Sequence, residues 1–137
     1  MLGAGEVSAA KQRLNSVHGA LLRLHKSLLD SERVTYESVH GGIPTPGAFL
    51  HLVIHDEWFS WLRAMSEFII QIDLATDAKE PVTVAEANRL LGELRKLLTP
   101  DENGDEFAKR YFHALQRDVN VAMLHAAALE TARGDLS

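Results

Sequence analysis

Between Leu14 and Val39 apolar residues recur at helical spacing, with Leu14, Val17, Leu21, Leu24 and Leu28 following alternating three- and four-residue steps. At about 100° of turn per residue, Leu14, Leu21 and Leu28 share one line, Val17 and Leu24 fall about 60° to one side, and Leu22, Leu29 and Tyr36 about 100° to the other. The pattern predicts one long amphipathic helix over positions 8–39, with Ser16, Arg23, Asp30 and Glu37 on one polar row and Lys26 and Arg33 on its neighbour. Ser31 and Thr35 end the apolar seam, which is too short for an independent zipper and suits packing inside a bundle. Gly41-Gly42-Ile43-Pro44-Thr45-Pro46-Gly47 stops the helix. Gly41 fits a left-handed C-cap, and Thr45-Pro46 an N-cap followed by a first-turn proline.

From Pro46 to Ala75 the helical period continues but its apolar face moves. Phe49, Leu50, Val53 and Ile54 form one stripe; Trp58, Trp61, Leu62, Met65, Phe68, Ile69 and Ile72 form another, roughly 100° away on an ideal helix. A break near Asp56, with its carboxylate capping the second piece, would turn both stripes toward one core. Lys79-Glu80-Pro81 closes the segment, and Thr83 with Glu86 has capping-box spacing ahead of Ala87, Leu90, Leu91, Leu94, Leu97 and Leu98. After the turn-rich Thr99–Asp105, Phe107, Tyr111, Ala114 and Leu115 mark another helix, and near Asp118 a new stripe begins with Val121, Leu124, His125, Ala128 and Ala132. No alternating strand pattern or repeat occurs. The expected fold is all-α: a single domain over 1–137, a bundle of about five or six helices with a long N-terminal helix, a flexible start at 1–7 and a flexible end at 134–137.

Composition narrows the partners. The 137 residues are 46% hydrophobic, enough for one core, and carry 19 acidic against 14 basic side chains for a formal net charge of −5. With no Lys/Arg block, nucleic acid and anionic membrane are not expected as partners. Without cysteine there is no disulfide frame, thiolate metal site or cysteine nucleophile. The first residues lack a signal-peptide pattern and no apolar run reaches membrane length, so a soluble cytoplasmic protein is expected.

His55-Asp56-Glu57-Trp58-Phe59-Ser60-Trp61-Leu62-Arg63-Ala64-Met65-Ser66, taken with Tyr36–Ile43 and Leu98–Glu102, resembles an uncharacterised bacterial family of small helical proteins. The shared stretch reads Asp-x-x-Phe-x-Trp-Leu-Arg-x-x-Ser, and the resemblance runs roughly from Leu14 to Leu129. In that family a proline follows the aspartate and would suit a helix start; Glu57 stands there in this chain. The resemblance implies a fold and no chemistry.

His18, His25 and Glu32 lie seven residues apart along a stripe flanked by hydrophobes on both sides. Buried ionisable groups need partners or a ligand. The trio and His125 could furnish metal ligands, iron or zinc, from facing helices. However, successive members stand about 10.5 Å apart along the axis, so at most one or two could share an ion with His125. The alternative is separate polar groups, each satisfied locally.

His51 and His55 have the four-residue spacing found in zinc and iron sites, but His51-Leu52-Val53-Ile54-His55 lacks the glutamate of a zinc protease and sits off the apolar stripe. Glu37-Ser38-Val39-His40 is one Glu-x-x-His, whereas a di-iron bundle needs two with further glutamates. No nucleophile elbow, phosphate loop or dinucleotide fingerprint occurs. Trp58, Phe59, Trp61 and Phe68 would make an aromatic pocket wall, but an aromatic stripe at helical spacing is more often plain core. The sequence therefore leads to a non-enzymatic interaction or assembly module, a homodimer or partner of another protein, with no cofactor. A metal- or small-ligand-binding bundle built on His18, His25, Glu32, His51, His55 and His125, catalytic or not, stands as the alternative.

Overall fold

The computed structural model describes residues 8–137, and the expected flexible start over 1–7 lies outside them. The described residues form α1 (Ala9–His40), α2 (Pro46–His55), a 3-10 helix (Glu57–Leu62), α3 (Arg63–Asp77), α4 (Val84–Leu97), α5 (Glu106–Arg117) and α6 (Val119–Thr131), with no strand among them.

α1 is the spine. Ser8 opens it by accepting the Lys11 amide at 3.1 Å, and its 32 residues span about 48 Å at ~1.5 Å per residue. α3, α4, α6 and the 3-10 helix all pack against it. Leu14, Val17, Leu21, Leu24 and Leu28 are fully buried, each contributing about 1.5–3 kcal/mol by the ordinary burial scale. They meet Leu62, Met65, Phe68, Ile69 and Ile72, the Ala87/Leu90/Leu91/Leu94 face of α4, Tyr111 and Ala114 of α5, and Val121 and Ala128 of α6. Gly41 ends α1 with φ +87° and ψ 170°, a positive φ but an extended ψ rather than the left-handed helical one, and its amide donates to Glu37 O.

Two aspartates break the chain where the apolar phase shifts. Asp56 adopts extended backbone at the end of α2, donates its amide to Leu52 O, and accepts the Trp58 amide on Oδ1 at 2.8 Å. Asp118 repeats the device between α5 and α6, where Oδ1 accepts the Asn120 and Val121 amides at 2.9 and 3.2 Å. The piece after Asp56 begins as 3-10 helix before α3 settles.

The expected burial of the Phe49/Leu50/Val53/Ile54 stripe is corrected. No residue of α2 is buried. Phe49 rests edge-on against Phe59, with centroids 5.7 Å apart, under the Arg33 guanidinium, while Leu50 and Ile54 face outward. Phase marked the break correctly, but ten residues of α2 pack mainly on the 3-10 helix and reach no deeper layer.

A smaller correction concerns the start of α4. Thr83 caps α4 by accepting the Glu86 amide, but the Glu86 carboxylate turns to Arg89 instead of closing a capping box. At the end expected to be flexible, 134–137, three residues carry side-chain bonds to the helices. Asn88 pairs reciprocally with the backbone of Leu136 at 2.7 and 3.0 Å, Arg95 holds Asp135, and Arg13 donates to Gly134 O.

Candidate functional site

The polar stripe of α1 meets a different partner at each step. His18 Nε2 lies 2.7 Å from Asp73 Oδ1 of α3. Glu32, almost wholly buried, accepts from Arg117 at the end of α5. That guanidinium also donates to Ser31 Oγ at 3.2 Å, and Asn120 Nδ2 donates to Ser27 Oγ at 2.8 Å. These bonds tie α1 to the α5/α6 corner and satisfy the polar groups their burial would otherwise penalise.

His25 differs. Among the described residues it has no hydrogen-bond partner, and burial alone lowers its pKa below the usual imidazole value. α1 and α3 run antiparallel in a register that pairs His18 with Asp73, which carries His25 to the level of Ser66 and Leu29 to that of Leu62. These four residues line a cleft of about 240 Å³, closed by Val53 and Ile54 of α2, Phe59 and Arg63. Arg63 is anchored at the rim, donating through Nη2 to Ile54 O at 2.8 Å, and so satisfies a carbonyl that the end of α2 leaves free.

His125, set apart on α6, approaches Tyr111 Oη at 2.5 Å through Nδ1. Tyr111 is fully buried and stacks on Phe107, which leans on Trp61. Burial pushes the Tyr111 phenol up and the His125 imidazole down. His51 and His55 stand side by side on α2, ring centroids 4.6 Å apart, both exposed.

The Glu37/His40 pair divides: Glu37 Oε2 accepts the Ile43 amide at 2.8 Å and pins the Gly41-Gly42 loop, while His40 stacks on Tyr36 at 4.2 Å. The structure thus disperses His18, His25, Glu32, His51, His55 and His125. Among the described residues no three His, Asp or Glu side chains gather as a metal-holding group.

The buried indole N–H groups of Trp58 and Trp61 have no acceptor among the described residues. A wider cleft of about 600 Å³ between α3, α4 and the turn before α5 is lined by Glu67, Glu93, Asp101 and Asp105 around Phe68 and Phe107. Two of those carboxylates serve the turn itself, Asp101 accepting the Asn103 amide and Asp105 the Ala108 amide.

Sequence reasoning missed Arg117, Tyr111 and Asp73 as partners, and Arg63 and Ser66 as neighbours of His25. Only Arg117 left a signal, as a cation beside the phase change at Asp118.

The open face lies around the His25 cleft. By the same register Leu22 of α1 stands beside Ile69 and Ile70 of α3, one turn from His25 and Ser66. Leu74 continues the row beyond Ile70, and Ile54 and Leu50 extend it along α2. All five of Leu22, Leu50, Ile54, Ile70 and Leu74 are 47–68% exposed. No helix among the described residues is long and apolar enough to cross a membrane. No family model, curated protein or solved structure matches the chain, so the resemblance around Asp56–Ser66 rests on those residues alone.

Proposed function

We propose that the chain is a non-enzymatic helical assembly module that self-associates as a homodimer through the open face of α1, α2 and α3. The observation that carries this reading is α2. It is an apolar helix with no buried residue, and with Leu22, Ile70 and Leu74 it leaves aliphatic side chains of three helices exposed to water around one cleft. Scattered exposed leucines need no explanation, but a contiguous patch on the order of a few hundred Å² marks an interaction surface.

A second copy suits this face by charge. Arg23 and Lys26 are exposed on the α1 side, with Lys26 3.1 Å from Asp30 of the same helix, and Glu67 and Asp77 are exposed on the α3 side. A two-fold axis that lays one copy's α3 over the other's α1 sets these opposite charges against each other around an apolar centre, as an isologous interface requires.

The test is a pair of charge insertions read by light scattering. Leu74→Glu should weaken the dimer by at least about tenfold, because an unpaired carboxylate is desolvated in the interface. Val119→Glu, on exposed α6, should leave it unchanged. A Leu74→Glu protein that dimerises like the parent overturns the proposed face.

A further inference from the structure

We propose that the cleft between α1, α2 and α3 binds a small aliphatic monocarboxylate, its chain among Leu29, Val53, Phe59 and Leu62 and its head at His25 and Arg63. The cleft is built within one chain but lies inside the face proposed for self-association, so its test includes a variant that separates the two.

Three features converge. The walls are almost entirely apolar, so water inside them gains little from the protein and a hydrocarbon chain replaces it favourably. His25, half-buried, brings to the cleft ring nitrogens that no described residue satisfies, and a neutral imidazole supplies both a donor and an acceptor. Arg63 has one N–H fixed on Ile54 O, which holds the guanidinium at the rim with its other donors free for a bidentate carboxylate. Ser66 Oγ, spent as a donor on Arg63 O at 3.1 Å, completes that end.

The ligand's size follows from the volume. About 240 Å³ is the space of roughly eight waters at ~30 Å³ each, which corresponds to a carboxylate of about six carbons.

Hexanoate is the probe, with hexanol as its uncharged counterpart. Binding is followed by proton NMR of the His25 ring and by melting temperature. Hexanoate should shift the His25 signals saturably with a dissociation constant on the order of 1 mM, the reach of about eight heavy atoms. Arg63→Gln should weaken it about tenfold, hexanol should bind at least about tenfold more weakly than hexanoate, and Val53→Phe, which fills the cleft from the exposed helix, should abolish binding.

Leu74→Glu, aimed at the dimer face but outside the cleft lining, should bind hexanoate at least as tightly as the parent, since a monomer leaves the cleft mouth open, which separates this site from the proposed assembly. No saturable shift up to about 20 mM, equal binding of hexanol, or retained binding in Val53→Phe with its helical circular dichroism intact would each overturn the site.

Discussion

Arg117 and Glu32 meet across 85 residues of sequence. Glu32 keeps 4% of its side chain exposed against 34% for Arg117, so the carboxylate is the buried member and depends on a cation that is half in water. Removing the cation strands the carboxylate, which for a buried pair costs about 3–5 kcal/mol. The solvent beside Arg117 lets water replace part of it.

Arg117→Ala is therefore expected to lower unfolding free energy by about 2–3 kcal/mol. Replacing Glu32 by Leu in the same chain should recover most of the loss. Urea unfolding of the parent and both variants decides it: equal midpoints for the single and double variants would mean that the stranded carboxylate carries no penalty.

At the two chain breaks the geometry ranks the aspartates. Asp56 caps one amide and Asp118 two, so Asp56→Ala should cost about 1 kcal/mol and Asp118→Ala somewhat more, toward ~2 kcal/mol. Far-ultraviolet circular dichroism should stay unchanged in both, since the flanking helices keep their packed faces. The reverse order of melting temperatures would show that the second amide contributes nothing.

What was legible in the sequence was whatever repeats locally. The α1 seam, the Gly41 stop, the Thr45 and Thr83 caps and both aspartate breaks follow from period and capping chemistry, which act within a few residues. The fate of α2 was not legible. Its stripe has the residues of a core face, and only the placement of the 3-10 helix leaves Leu50 and Ile54 outside. The site was half legible. The row of His18, His25 and Glu32 announced polar groups needing partners, but Asp73, Arg117 and the cleft beside Arg63 come from other helices, and no periodicity predicts a register between helices.

Burial lowers the pKa of both His25 and His125 from the ordinary 6.5. Each group takes a proton more readily in the unfolded chain, so its contribution is fully present above about pH 6.5 and is lost as pH falls through the depressed folded value. Melting temperature should decline below about pH 6.5, and the His25→Leu, His125→Phe double variant should flatten that decline. An unchanged pH profile in the double variant would place the acid sensitivity elsewhere.

At His25 the absence of a hydrogen-bond partner sets the sign of two substitutions. His25→Ala removes packing without stranding a donor or acceptor and should cost about 1 kcal/mol. His25→Leu replaces a poorly solvated imidazole by an apolar side chain of similar reach and should match or exceed the parent in stability. Thermal unfolding checks the pair; a Leu variant less stable than the Ala variant would reveal a bond that His25 makes and Leu cannot.

Self-association through α1, α2 and α3 is tested most directly by sedimentation equilibrium of the unaltered chain from about 1 to about 100 µM, the range in which an ordinary interface near 1,600 Å² associates. A reversible monomer–dimer equilibrium, shifted toward monomer by Leu74→Glu, is the predicted result; a single monomer mass at every concentration would contradict it.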